Sequence, residues 1–312
     1  MNPVAASRKG TAMFEVRRLR LLRELQLRGT LAAVAEALSY SPSTISQQLA
    51  QLEKDAGVTL LEPDGRRVRL TPYGEVLAAH AARVLDLEEA VRAELASVQP
   101  GLTPVRIAVI QTAAQAILPR ALDLLAERLP GLRVEVAEVP PEEGLFELSA
   151  RTFDLVVAEQ YPGHTRAHTP TLDREPLGSD PMRLALPPGA PARELRELGD
   201  RAWVMEPEGT AARQWAVQQC RAAGFEPDVR YELADLNAQV RLVAAGHAVG
   251  MLPDLLWTDT APPVRLVPLP GNPVRDLFTA ARAATSRESV RAVREALRDA
   301  LSELVGLREE RT

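Results

Sequence analysis

A single cysteine, Cys220, stands in the 312 residues of this chain. One thiol excludes an intrachain disulfide framework and a multi-thiolate zinc site, so Cys220 is expected to pack near Trp215 as a small apolar side chain. Lysine is nearly as scarce: all but Lys9 and Lys54 of the 37 basic residues are arginine. Where the arginines fall therefore says more than how many there are. No apolar run approaches the ~18 residues of a membrane helix, and the first residues lack the apolar stretch of a secretory leader. A cytoplasmic chain with no membrane partner is expected. G-x-S-x-G, a Walker loop and G-x-G-x-x-G are missing, so no catalytic residue is assigned and an enzyme is not expected. His164 and His168 have an i, i+4 spacing, but they sit among Pro162, Gly163 and Pro170 with no HExxH-type carboxylate beside them. They read as loop residues, and no metal or cofactor is assigned.

The most informative stretch is 30–55, TLAAVAEALSYSPSTISQQLAQLEKD. Leu31, Val34, Ala35 and Leu38 form one helical stripe, and Ile45, Leu49 and Leu52 form a second. Ser41-Pro42 reads as an N-cap followed by a first helical residue, after a turn of about four residues, the length of a helix-turn-helix. The other face of the second helix carries Ser43, Thr44, Ser46, Gln47, Gln48 and Gln51. It is nearly uncharged yet dense in hydrogen-bonding groups. A solvated face would carry Glu and Lys, whereas a face entering the DNA major groove needs side chains such as Gln, which pairs with adenine N6 and N7.

Upstream, Phe14, Leu19, Leu22 and Leu25 stripe a first helix whose polar sides hold Arg17, Arg18, Arg20, Arg23 and Arg28. Gly29 suits a helix C-terminus, and Thr30 can cap the next helix. Downstream, Glu62–Gly65 reads as a turn and 66–70 as a short alternating strand, a wing whose guanidinium groups can reach phosphates. Residues 1–70 carry 11 basic against 7 acidic residues, a net of +4. With the whole chain at −5, the remainder holds −9. A basic head on an acidic body suits local phosphate binding without general stickiness toward nucleic acid.

Residues 14–98 resemble the DNA-binding region of LysR-type transcriptional regulators. The likeness is carried by Leu19-x-x-Leu22, Gly29-Thr30, Ala35-x-x-Leu38, Ser46-Gln-Gln-Leu49, Gly57-Val-x-Leu60, the run from Gly65 to Pro72, and Gly74, all without gaps. Pro42-Ser43 stands where the family most often has Gln-Pro, and Gln47 where it often has Arg. The resemblance implies double-stranded DNA as partner, contacted by Thr30, Ser41, Pro42, Ser43, Thr44, Ser46, Gln47, Gln48, Gln51, Arg66 and Arg67.

From Thr71-Pro72 a helix is expected to run to about Val98, with Leu77, Val84, Val91 and Val98 recurring every seven residues beside Ala81 and Leu95. Such a helix spans roughly 39 Å, too long to bury its stripe on a 70-residue head, so pairing with a second copy is expected. The resemblance implies a homodimer or homotetramer, with RNA polymerase as a further partner.

Gln99–Pro104 is a turn-rich break. Beyond it short apolar strands alternate with amphipathic helices: strands at 105–110, 132–138, 154–158, 182–186, 203–205, 229–232 and 249–251, and helices at 112–128, 142–151, 192–198, 211–223, 236–245 and 287–306. That order argues for parallel α/β sheets in two lobes, with ligands bound beyond the strand ends. Residues 105–158 and 234–253 resemble the family's effector-binding lobes. The expected fold is α/β: a winged helix-turn-helix (13–71) after a disordered 1–12, a linker helix (72–98), a hinge (99–104) and a two-lobed effector-binding domain (105–312). That domain resembles type 2 periplasmic binding proteins, with lobe I at 105–172 and 273–312 and lobe II at 173–272. The resemblance places a small-molecule effector between the lobes, on Gln111, Thr112, Ala113, Pro141, Ala158, Glu159, Gly209 and Thr210. Amides and a hydroxyl at Thr112 favour an anion there. The expected function is a sequence-specific transcriptional regulator controlled by that effector. The alternative is a two-lobed binding protein or enzyme whose helical head serves only in assembly.

Overall fold

The computed structural model describes residues 13–65, 67–98, 104–164, 169, 171–191, 194–258, 260–283 and 287–309. Contacts divide the chain into two units, Met1–Leu95 and Ala96–Thr312.

The head is built from α1 (Val16–Arg28), α2 (Leu31–Leu38), α3 (Pro42–Ala56), the strands β1 (Leu61–Asp64) and β2 (Arg67–Leu70), and α4 (Pro72–Val98). Local chemistry sets each boundary. Gly29, at φ 74°, ends α1 by returning its N–H to the Leu25 carbonyl. The Thr30 hydroxyl accepts from the Ala33 N–H at the start of α2, and the Ser41 hydroxyl accepts from the Thr44 N–H at the start of α3. Leu19, Leu22, Leu25, Val34, Ile45, Leu49 and Leu52 are removed from solvent in one core, each contributing about 1.5–3 kcal/mol of burial. β1 and β2 form an antiparallel hairpin from Leu61↔Leu70 to Asp64↔Arg67. Residues 62–64, expected in the turn, thus belong to a strand, and Gly65 follows it in a turn. Thr71 locks the start of α4: its hydroxyl donates to the Thr59 carbonyl and accepts from the Gly74 N–H. Gly74 must be glycine, because a Cβ there would lie 2.2 Å from the Leu60 carbonyl oxygen.

In the body, lobe I is a sheet ordered β4 (Val134–Glu138), β3 (Val105–Val109), β5 (Leu155–Gln160), β11 (Val274–Arg282) and β6 (Leu172–Leu186). Alternate side chains leave opposite faces of the sheet. Ile107, Val109, Leu155 and Val157 pack with α5 (Gln111–Ala116), α6 (Leu118–Arg128) and α10 (Glu288–Glu309). Ala108, Val156 and Ala158 pack on the other side with Leu148 of α7 (Pro141–Ser149). The second half of β6 leaves this sheet to pair with β9 (Gly250–Pro253) and β10 (Arg265–Pro268), founding lobe II. Lobe II is completed by β7 (Ala202–Met205), β8 (Asp228–Glu232), α8 (Ala211–Ala222) and α9 (Leu236–Ala244). Cys220 is buried in its core with Trp203 and Trp215.

Three further expectations are corrected. The helix at 112–128 is two helices, because Pro119 cannot donate to the preceding turn and starts α6 afresh. The helix at 192–198 is a single 3-10 turn at Leu195–Glu197, with 192–193 outside the described residues. β6 has 15 residues rather than 5, and β10 and β11 were not anticipated. Among the described residues no helix is long and apolar enough to cross a membrane.

Candidate DNA-reading face and effector cleft

With Ile45, Leu49 and Leu52 in the head's core, helical geometry leaves Ser43, Ser46, Gln47, Ala50 and Lys54 exposed along the opposite side of α3. Gln48 and Gln51 lie between these faces and are half-buried. The Gln48 side-chain oxygen accepts from Arg18 Nε at 3.1 Å, and Gln51 Nε2 donates to Asp55 at 2.9 Å. Arg18 also pairs with Asp55 at 2.7 Å. These two glutamines therefore spend part of their hydrogen-bonding capacity inside the head, whereas Gln47 is exposed. At the helix start the hydroxyls of Ser43 and Thr44 both lie 2.8 Å from that of Ser41. Arg17 donates to the Tyr40 hydroxyl, with its guanidinium 5.1 Å from the ring centroid. Arg67 of the wing is exposed, and Arg66 lies outside the described residues.

In the body, a cavity of about 540 Å³ opens between the lobes. The N-terminal ends of α5, α7, α8 and α9 reach its wall. At its floor Arg275, on β11, is 2% exposed. Its guanidinium donates twice to Asp180, at 3.0 and 2.8 Å, to Glu159 at 2.7 Å, and to the Thr112 hydroxyl at 2.7 Å. Burial opposes this charge, but Glu159 and Asp180 outweigh it and raise the guanidinium above its usual range. The Tyr161 hydroxyl donates to Glu159 at 3.3 Å. Burial, reinforced by Glu159, pushes that phenol well above the usual tyrosine range. Glu206, just beyond β7, also lines the cavity, and burial followed by the charge of Glu159 pushes its carboxyl up to about 8. Across the cleft, Gln111 of lobe I donates to Asp235 at 2.8 Å and accepts from the Leu236 N–H at 2.9 Å. It thereby caps α9 of lobe II. The Gln111 hydrogen bond holds the Asp235 carboxyl below its usual range.

Two family models match the chain, a LysR substrate binding domain over residues 101–302 and a bacterial regulatory helix-turn-helix protein of the lysR family over residues 16–75. The chain belongs to the LysR family. A probable hydrogen peroxide-inducible genes activator of Streptomyces viridosporus is 34% identical over 281 residues, covering 85% of this chain and 88% of the relative. A protein of the same description from Mycobacterium avium is 35% identical over 233 residues, with 71% and 72% covered. A cysteine variant of full-length OxyR from Pseudomonas aeruginosa superposes with a TM-score of 0.63 at 21% identity, covering 92% of this chain and 95% of that one. Full-length CbnR in complex with its target DNA superposes with a TM-score of 0.52 at 22% identity, covering 92% and 99%. This LysR-type chain is therefore a DNA-binding transcriptional regulator with an effector-binding domain, rather than a binding protein or enzyme with an assembly head.

The structure sorts the residues assigned from sequence. Ser41, Pro42, Ser43, Ser46 and Gln47 of this regulator are exposed, Thr44 is half-buried, and half-buried Thr30 is occupied as a helix cap. Gln111, Thr112, Pro141, Glu159 and Thr210 line the cavity. Ala113 and Ala158 do not: both are fully buried in apolar cores, because their side chains leave the backbone away from the cleft. Gly209 is also outside the lining, in a turn at φ 92° that places Thr210 instead. Thr112 is 1% exposed, and its hydroxyl accepts from Arg275. His164 bridges back to Tyr161, and His168 lies outside the described residues.

Arg275, Asp180, Glu206, Tyr161 and Asp235 escaped the sequence reading. A signal for Arg275 existed, since the turn cluster Pro270-Gly-Asn-Pro273 precedes the apolar run Leu277–Ala281, a bounded strand pattern.

Proposed function

We propose that α3 lies in the major groove, where Gln47, with Ser43 and Ser46, reads base edges while Arg67, Arg17 and the hydroxyls at the helix start contact phosphates. The observation that carries this reading is the exposed face of α3, which carries hydrogen-bonding side chains and no charge from Ser43 to Ala50. Gln48, bonded to Arg18 of α1, and Gln51, bonded to Asp55 along its own helix, read less. Two copies pair through α4, on which Val76, Leu87, Val91 and Leu95 are exposed, an apolar set that a second helix covers. The pair presents two α3 helices to a two-fold related DNA site.

We further propose that a small molecule held between the lobes biases DNA binding through its different affinity for two arrangements of the regulator. Several relatives are named for hydrogen peroxide. Cys220, the chain's one cysteine, is poorly suited to report an oxidant, since its buried thiol is pushed up to about 12 and carries almost no thiolate. The signal is therefore read as non-covalent. The regulator acts in the cytoplasm, and RNA polymerase is its downstream partner.

Selection of bound fragments from a random DNA pool by the full chain tests this function. An interrupted palindrome should be enriched. Enrichment of no sequence over the starting pool would refute base reading.

A further inference from the structure

We propose that the cavity between the lobes takes a small organic cation, a primary ammonium or guanidinium compound, with its charged end against Glu206. The assignment rests on reading that cavity as the effector site and names the class of effector.

The cavity wall carries Glu138, Glu142, Glu206 and Asp235 in addition to Glu159. The one cation among its described lining residues is Arg275, already shared between Glu159 and Asp180. An entering carboxylate would meet a guanidinium flanked on both sides by carboxylates. Helix ends do not reverse this balance. Each N-terminus offers roughly half a positive charge, but Glu142 sits in the first turn of α7 and Asp235 caps α9, answering two of them.

Glu206 supplies an independent reason. Burial of its carboxyl pushes it up to about 8, and no described donor reaches that carboxyl; Arg213, which also pairs with Glu232, meets Glu206 at its backbone carbonyl. Glu206 also lines a smaller extension of about 20 Å³, together with Tyr161 and Trp215, whose rings stack at 5.3 Å. That volume suits a group the size of a water molecule or an ammonium. The Trp215 indole N–H, 1% exposed as a residue, also has no partner among the described residues. The indole N–H is a donor and needs an acceptor, which a water held in the extension supplies; the entering charge is met instead by the half-buried Glu206 carboxyl, which no described donor reaches. A carboxyl beside two aromatic rings is an environment that recognises a cation.

Titration of the full chain with 1,4-diaminobutane, butylammonium and 4-aminobutylguanidine, against succinate and 1,4-butanediol, tests the assignment. At least one cation should bind saturably, and succinate and the diol should not. The Glu206→Gln variant, checked for folding by circular dichroism, should weaken the cation by at least about tenfold, and Glu142→Gln should weaken it less. Glu159, Glu142, Arg275 and Tyr161 face Glu206. In the empty site Glu206 is largely protonated at pH 7, so cation binding should release a proton there, and affinity should rise from pH 6.5 to 8. Binding of none of the three cations, succinate binding more tightly than the diamine, or a Glu206→Gln affinity equal to wild type would overturn the proposal. DNA affinity measured in parallel separates the two readings. Succinate that binds and shifts DNA affinity leaves the effector reading intact and removes the cation class. A cation that binds through Glu206 without shifting DNA affinity leaves the class intact and removes the effector reading.

Discussion

The two working surfaces of this regulator treat charge in opposite ways. The α3 face is exposed and almost uncharged from Ser43 to Ala50, held in place by the Ser41 cap and by an apolar stripe beneath it. The floor of the cleft is buried and crowded with ionisable groups, and its geometry depends on Arg275 binding Glu159, Asp180 and Thr112 together. A surface that reads many bases gains from hydrogen-bonding groups that water can satisfy when DNA is absent. A pocket that recognises one molecule gains from groups whose cost of burial is offset only by the right partner.

That contrast predicts unequal sensitivity to substitution. The largest effect is expected for Arg275→Met, which leaves Glu159 and Asp180 buried without their counter-charge and should cost about 3–5 kcal/mol of stability in urea denaturation. A loss below about 1 kcal/mol would mean that water replaces the guanidinium. Next comes Glu206. Its carboxyl is raised in the folded state, from 4.5 to about 8, so the stability it contributes is fully present below pH ~4.5 and lost as pH rises through ~8. Glu206→Gln cannot ionise, so its melting temperature should exceed the wild type's near pH 9, by on the order of 2–4 kcal/mol of stability, with the gap closing near pH 5. Parallel melting curves across that range would show that Glu206 titrates normally. In the head, Gly74→Ala forces a Cβ against the Leu60 carbonyl and should cost about 1–3 kcal/mol. Ser41→Ala removes the α3 cap and should cost about 1 kcal/mol. An effect of Ser41→Ala as large as that of Arg275→Met would erase the distinction between the two surfaces.

The same contrast decides what the sequence revealed. In the head the stripes, caps and αL glycines are separated by three to seven residues, so local spacing determines the elements. Ser41, Pro42 and Gly57 mark the ends of α3 without reference to anything distant. What local spacing could not show was the sharing of glutamines, because the partner of Gln48 is Arg18, on another helix. In the body the parallel strands of lobe I were legible as apolar runs. The long crossing strand β6 was not, because Pro176 and Pro181 interrupt it, and proline in a run argues against a strand. Pro176 is tolerated where the ladder with β11 shifts register, between Leu277 and Phe278, and Pro181 where that ladder ends, opposite Val274. The cleft followed from that loss. Thr112, Glu159, Asp180 and Arg275 come from four different elements or turns, and only the fold brings them together. Thr112 and Glu159 were placed by family likeness; their partner Arg275 had no such guide.

The central claim is that Gln47 reads bases from the exposed side of α3, and one pair of affinities tests it directly. On a site selected by the wild-type chain, Gln47→Ala should lose about 1–3 kcal/mol of binding, while its affinity for random DNA at the same salt concentration stays within about twofold. Equal losses on both DNAs, or no loss on either, would contradict the account.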